Sequence, residues 1–496
     1  MIWILLFAAL AAHVSCYDSK VVIQITKQEY CEKNRIRNYK CEESFANYLV
    51  AYPQLKQCTM ACPLFSDDCP SLSIDSQCTS SYNQGTEHSD EDPENQQAFE
   101  EPASSGIQLH SKVTKFTLEL FKKAVPIDNA QNYVLSPVLV QSLLAYLTDG
   151  ASNGTRGAME SVLQLTASDL NELKRLLEPS AERVDSSKNK LDIASQIFRS
   201  SRIELLRPYV QSLKNRKVPQ QPMDFSNKEN AAKTINDWVK QNTRGKIMEA
   251  IDAESLNPET QLLLLNALYF NGTWMYKFNR TERGTFHVND NEQSAIRMMY
   301  LTRNLRSGYT RVVGEWKPKE GFLWVELPYD GDTVSMILLL PKERFQLDRE
   351  LQTFNEQDLE YILSEIAAND QDEVRLRLPE FKAESTVSLV EPLKRMGLAS
   401  VFDGEKPFDK ISNDIVKISE VKQKSFLSVD QRGTVATSVT YATVIALSLP
   451  RSMEFYVDQP FAAIIIDKTN KLPLFMAKIS KPEKFKKEKA NKKSNV

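Results

Sequence analysis

Apolar side chains recur along this chain at two different periods, and the switch between them lays out the fold. Val113, Phe116, Leu120 and Phe121 share one face of a 3.6-residue turn, which predicts a helix. Ser136-Pro137 followed by Leu139, Leu143, Leu144 and Leu147 predicts a second, with a proline where first-turn amides have no helical partner anyway. Thr234 to Lys240 (TINDWVK) predicts a third, stopping near Gly245. Then the period changes. Gln261 to Phe270 (QLLLLNALYF) is a continuous apolar run holding one asparagine, as expected of a central strand covered on both faces. Thr333 to Leu340 (TVSMILLL), bounded by Asp330-Gly331-Asp332 and Pro341, reads the same way. Val374 to Leu378 (VRLRL) alternates, so one of its faces is wet. Phe461 to Asp467 and Leu472 to Ile479 read as a closing hairpin around Thr469-Asn470. Helices early and strands late predict an α+β fold.

Composition fits this picture. The 496 residues are 42% hydrophobic and 26% charged, an ordinary globular balance whose length suggests about three domains. With 62 Lys+Arg against 65 Asp+Glu, the net charge of -3 gives no basis for nucleic-acid binding. Met1 to Ser15 is almost wholly apolar, and Val14-Ser15-Cys16 offers small residues before Tyr17. Residues 1–16 are therefore expected to be a secretory signal peptide, the run being shorter than the roughly 20 apolar residues a membrane span needs. No later stretch is long enough to span, so a soluble, exported protein with no membrane partner is expected.

Cysteine usage agrees with export. Cys31, Cys41, Cys58, Cys62, Cys69 and Cys78 crowd into residues 17–78, and none follows. Six cysteines in a short exported module read as about three disulfides, with about 15 pairings open. A zinc site fits worse, for want of paired CxxC motifs and a nearby histidine. Residues 79–105 are rich in Ser, Gln, Asn and Pro and carry Glu87, Asp90, Glu91, Asp92, Glu94, Glu100 and Glu101. They read as an acidic, disordered linker.

Enzyme signatures are missing: no GxSxG, HExxH, GxxxxGK[ST] or GxGxxG occurs. Of the four histidines only His110 and His287 fall in the folded region, neither beside a nucleophile signature. No catalytic residue, metal or cofactor is expected. The unusual segment is Gly433 to Pro450 (GTVATSVTYATVIALSLP), which has no charge. Read at period two, one face holds Thr434, Ala436, Ser438, Thr440 and Ala442, all small; the other holds Val435, Thr437, Val439, Tyr441 and Thr443. A uniformly small face fits a tightly packed sheet interior. Left exposed, such a segment is an aggregation hazard. Periodicity alone leaves a permanent central strand open.

From about 106 to 483 the chain resembles the serpins. Ser136-Pro137 with Leu143-Leu144 and Gly150-Ala151 is similar to the family's second-helix motif. Ile235-Asn236-Asp237-Trp238-Val239 with Thr243, Gly245, Lys246 and Ile247 is similar to its "INxWV…TxGKI" element, and Asn266 to Trp274 (NALYFNGTW) to "NAIYFKGxW". Leu378-Pro379-Glu380-Phe381, Leu393 with Met396-Gly397-Leu398, Asp458-Gln459-Pro460-Phe461 and Leu474-Phe475-Met476 continue the series in family order, with Ala477 in place of the last glycine.

The resemblance implies a serpin fold of three β-sheets, about nine helices and an exposed reactive loop. It implies a suicide inhibitor: a serine protease cleaves the loop, becomes esterified to it, and is dragged across the molecule as the loop inserts into the main sheet. The hinge glycine is then Gly433, followed by Thr434. Fourteen residues on lies Leu447, making Leu447–Ser448 the reactive bond and suiting a chymotrypsin- or elastase-like enzyme. Arg451–Ser452 is the rival bond, for a trypsin-like enzyme. Gln431 and Arg432 replace the usual acidic pair and Val435 replaces Glu, which leaves a non-inhibitory carrier or chaperone as the alternative. In the polar cluster that governs sheet opening, Ser136 and Asn266 remain, while Leu139 and Gln423 stand where many serpins carry Ser and His.

Asn153, Asn271 and Asn279 head Asn-x-Thr glycosylation consensus sites, with Asn271 ranked last because it follows a buried strand closely. From Lys481 onward seven Lys and two Glu give a net of +5, and residues 484–496 form a basic tail suited to a glycosaminoglycan. The expected partner is an extracellular serine protease held covalently by a monomeric inhibitor.

Overall fold

The computed structural model describes residues 104–184, 190–310, 320–431 and 452–482, with three short strands nearer the N-terminus. The chain divides into two compact units, residues 1–100 and 101–496. In the first, β1 (His13–Tyr17), β2 (Lys20–Ile25) and β3 (Leu72–Ser73) form an antiparallel sheet. The six cysteines expected to pair lie outside the described residues, as do Gly433 to Pro450, Arg451 and the basic tail.

In the second unit, α1 (Ser104–Ala124) buries Val113, Phe116, Leu120 and Phe121. α2 (Pro137–Leu147) starts on its proline and is buried along its whole length. α3 (Asn153–Leu163), α4 (Ala167–Val184) and α5 (Arg207–Asn215) follow. α6 (Lys228–Asn242) contains TINDWVK, and Gly245, at φ 72°, closes its end by donating its amide to the Lys240 carbonyl at 2.7 Å.

Among the described residues this unit carries three sheets. The largest runs β10 (Ser307–Tyr309), β11 (Phe322–Pro328), β12 (Val334–Pro341), β17 (Phe461–Asp467), β18 (Leu472–Ile479), β4 (Tyr133–Leu135). A four-stranded sheet runs β16 (Ser452–Tyr456), β13 (Asp372–Pro379), β9 (Gln293–Leu305), β8 (Arg280–His287). A five-stranded sheet runs β14 (Phe381–Ser388), β15 (Ile418–Val429), β7 (Leu262–Asn271), β5 (Lys190–Ser200), β6 (Gln220–Met223).

Two cores flank the five-stranded sheet, and β7 serves both. Leu262, Leu264, Leu268 and Phe270 join the main core with α1, α2 and β18, while Leu263, Leu265 and Ala267 join a smaller one under Ile235 and Val239 of α6. That double burial is why QLLLLNALYF has no polar alternation. β13 alternates as expected, with Val374, Leu376 and Leu378 inward and Arg375 and Arg377 outward. Among the described residues no helix is long and apolar enough to cross a membrane.

Both folded-region histidines have structural settings. His287 donates its backbone amide to the Asp458 carbonyl at 2.8 Å. His110, on α1, is buried, and burial first, then the nearby Lys471 charge, holds its imidazole down at about 4. Between pH 6.5 and about 4 the unfolded chain therefore binds a proton that the native state refuses, and stability falls as pH falls. Over that window the parent chain should lose about 1.4 kcal/mol per pH unit more than His110→Gln, measured by urea unfolding. Parallel pH profiles for the two proteins would contradict this account of His110.

Candidate functional site at a parallel seam

The centre of the five-stranded sheet is a parallel pair. β15 runs parallel to β7, with Val421 opposite Leu264, Gln423 opposite Asn266 and Ser425 opposite Leu268. Their outer neighbours β14 and β5 run antiparallel to them. A strand slipped between β15 and β7 would be antiparallel to both. A chain that turned back after Val429 would have that direction, and β15 and β7 are hydrogen-bonded directly to one another with nothing between them.

The side-chain hydrogen bonds beneath this seam fall into two groups, one on each side. On the β15 side, Gln423 acts as a peptide surrogate. Its Oε1 accepts from the Ser136 amide at 2.7 Å and its Nε2 donates to the Ser136 carbonyl at 3.1 Å, mooring the start of α2. Ser385 of β14 does the same for Val134, accepting its amide at 3.0 Å and donating to its carbonyl at 2.8 Å. On the β7 side, Ser195 of β5 donates to Asn266 Oδ1. Ser136, Asn266 and Gln423 are all essentially fully buried. Asn266 Nδ2 and Ser425 Oγ have no partner among the described residues. No side-chain bond joins Gln423 to Asn266, so the strands can part here without breaking either group. Crossing the seam are the backbone ladder, the stacked pair Tyr269–Phe426, 5.2 Å between ring centroids, and, at the start of β7, the bond from the Gln261 amide to Ser419 Oγ at 2.9 Å.

The end of the seam where β15 gives out is pinned differently. Trp274 Nε1 donates to the Asp430 carbonyl at 3.1 Å, and its indole stacks on Tyr329 at 4.4 Å. Gly272 makes that stack attainable, since a Cβ there would lie 2.4 Å from the Tyr329 ring. Gln431 accepts from Thr281 Oγ1 at 2.5 Å and donates to the Phe278 carbonyl at 3.4 Å. These contacts are neutral, so the glutamine found in place of an acidic residue needs no counter-charge.

The structure thus brings Ser136 and Gln423 into contact and sets Asn266 across the seam from them. Leu139 packs in the core beside them. The hinge residues Gly433, Thr434, Ala436, Ser438 and Thr440 and the bond Leu447–Ser448 lie outside the described residues, while Ser452 is the first residue of β16. Asn153 and Asn279 are exposed; Asn271 ends β7, two residues before buried Thr273. Sequence reasoning missed Trp274 and Thr281 as parts of the site. Trp274 stood only as the end of a motif, and Thr281 was hidden inside a glycosylation consensus.

A family model described as serpin (serine protease inhibitor) matches residues 111–482. Leukocyte elastase inhibitor of Xenopus tropicalis is 31% identical over 388 residues, covering 75% of this chain and 99% of its own. Glia-derived nexin of Mus musculus is 29% identical over 398 residues, covering 76% of this chain and 94% of its own. The crystal structure of native protease nexin-1 with heparin superposes with a TM-score of 0.65 at 26% identity, covering 76% of this chain and all of that one. Serpin-12 of Manduca sexta gives 0.65 at 25% identity, covering 75% of this chain and 98% of its own.

The mooring of α2 is directly testable. Gln423→Ala leaves the Ser136 amide buried without a partner and opens a small cavity. Denaturant unfolding should show a loss of about 2–4 kcal/mol. A loss below about 0.5 kcal/mol, the size of an ordinary surface substitution, would mean that this glutamine does not hold the helix to the sheet.

Proposed function

The chain belongs to the serpin family of serine protease inhibitors, and from that premise we propose that it is a secreted suicide inhibitor of an extracellular serine protease, cut at Leu447–Ser448. The observation that carries this reading is the parallel seam beside a spare length of chain. From Gly433 to Leu447 there are fourteen steps (447 minus 433), about 46 Å of extended strand against the ten residues of β7. Folded back into the seam, that segment exchanges one parallel ladder for two antiparallel ones. At roughly 1 kcal/mol net per hydrogen bond, the exchange favours the inserted state. The small face of Thr434, Ala436, Ser438, Thr440 and Ala442 would then pass over Gln423 and Asn266, where a large side chain would overpack.

The chemistry belongs to the protease. Its serine oxygen adds to the Leu447 carbonyl carbon, the bond to the Ser448 nitrogen breaks, and that nitrogen takes the proton the serine gave up. An ester to Leu447 remains. Insertion before water arrives carries the esterified enzyme the length of the seam and pulls its catalytic groups out of register. Leucine suits an apolar primary pocket, as in chymotrypsin- and elastase-like enzymes.

The structure supports Leu447 over Arg451 as the bait. Ser452 is already paired with Glu373 in β16, so presenting Arg451–Ser452 to a protease cleft would require peeling the strand from its ladder. Secretion rests on the apolar start, the cysteine-rich module at 17–78 and the exposed acceptors Asn153 and Asn279. The basic tail supports a second contact, with a glycosaminoglycan.

Incubation with chymotrypsin, pancreatic elastase and trypsin separately tests the proposal. An SDS-resistant complex should form with one of the first two, and the released peptide should begin at Ser448 by mass spectrometry. Ala436→Arg, which puts a large charge on the small face, should cut the complex yield more than about tenfold while cleavage continues. Digestion without any complex would leave the carrier reading, and a peptide beginning at Ser452 would move the bait to Arg451.

A further inference from the structure

The outer face of the four-stranded sheet holds a row that the seam does not use. In register across all four strands stand Tyr456 on β16, Arg377 on β13, Tyr300 on β9 and Arg280 on β8. Aromatic rings and guanidinium groups alternate and stack. Arg377 lies 3.8 Å from the Tyr456 ring centre and 5.6 Å from that of Tyr300, and Arg280 lies 4.6 Å from Tyr300. The row lines a shallow cleft of about 280 Å³.

Its charges are unequally satisfied. Arg280 pairs with Glu282 at 3.1 Å, and in the next row Arg375 pairs with Glu454 at 3.2 Å and approaches Glu373 at 3.7 Å. Arg377 is exposed and has no carboxylate partner among the described residues. Its guanidinium lies over the Tyr456 ring and near that of Tyr300, contacts that restrict its rotamers while the residue stays exposed to solvent. A pre-set fork of donors is what a carboxylate accepts in bidentate fashion.

Position identifies the occupant. β16 begins at Ser452, four residues after Ser448, a reach of at most about 14 Å. A folded enzyme of about 200 residues is roughly 40 Å across. An enzyme engaged on the loop therefore overhangs this sheet on the side of its primed subsites. Arginine and tyrosine are also the residues that dominate protein–protein hot spots. A sulfated glycan fits less well, because Glu282, Glu373 and Glu454 already neutralise the neighbouring arginines and a polyanion needs several uncompensated cations.

We propose that the row Tyr456–Arg377–Tyr300–Arg280 is an accessory docking surface for the target protease, with Arg377 taking a carboxylate on the rim of the enzyme's primed side. This rests on the inhibitor reading above. Docking of this kind raises the rate of encounter and leaves the later partition between inhibition and simple cleavage unchanged.

The test measures second-order association rates and inhibition stoichiometry. The enzyme is whichever of chymotrypsin, pancreatic elastase and trypsin forms the complex. The inhibitor is the full chain carrying Asn279→Gln, so that no glycan stands beside Arg280. Arg377→Ala should slow association about 3- to 10-fold and Arg377→Glu by more, with the gap narrowing from about 0.05 to about 0.5 M NaCl. Arg377→Lys should recover only part of the rate. Stoichiometry and melting temperature should not change. Unaltered rates for both Arg377→Ala and Arg377→Glu, with complex still forming, overturn the docking surface alone. Heparin acceleration that vanishes in Arg377→Ala would reassign the row to a glycan and also overturn it. If the unsubstituted loop forms no complex with any of the three enzymes, the inhibitor reading and the docking surface fall together.

Discussion

The direct pairing of β15 with β7 is the constraint on which the rest of this molecule turns. Two parallel strands lie side by side at the heart of a sheet, each antiparallel to its outer neighbour. That arrangement is stable as it stands, yet it leaves a better one within reach, because a returning strand can make ladders on both sides. The two flanks are not equivalent. β7 is covered by cores on both of its faces, whereas β15 has one half-buried face and is tied through the other to the main core and the start of α2. A strand entering the seam would have to part β14, β15 and the moored end of α2 from β7 and β5. The buried hydrogen bonds are grouped compatibly with such a parting, those of Gln423 and Ser385 on one side of the seam and those of Asn266 and Ser195 on the other.

On the proposed reading, the seam must also stay shut until the chain is cut. The end where β15 stops is held by an indole on a backbone carbonyl and by an amide–hydroxyl contact. These bonds are neutral and individually modest, so they resist spontaneous opening without stabilising the closed sheet as much as a buried ion pair at the same place would if later broken. The chain does use buried charge elsewhere. Glu326, 1% exposed, meets Arg306 at 2.6 Å and Lys468 at 2.8 Å in the six-stranded sheet, away from the seam.

Much of this was legible in the amino-acid order, for reasons that differ by element. β7 announced itself because both its faces are buried and no polar residue interrupts it except Asn266. α2 was readable from Ser136-Pro137, and β13 from strict alternation. β15 was not readable. Its buried face carries Gln423 and Ser425 where aliphatic residues would be expected, so ISEVKQKSFLSV looks like polar linker. The contact of Gln423 with Ser136 joins positions 287 apart in the chain, and no local pattern encodes it. Only the family resemblance pointed to that residue. Arg375 and Arg377 could be seen to be wet, but their stacking against Tyr456 and Tyr300 depends on the register of four strands drawn from distant segments.

The central claim is that cutting the uncharged segment releases it into the seam. The most direct measurement is the thermal unfolding of the intact chain beside the same chain nicked once at Leu447–Ser448, followed by calorimetry. A sheet that has gained a strand must melt at a clearly higher temperature than the uncut one. A nicked form that melts at the same temperature or lower has gained no strand, and the account fails with it.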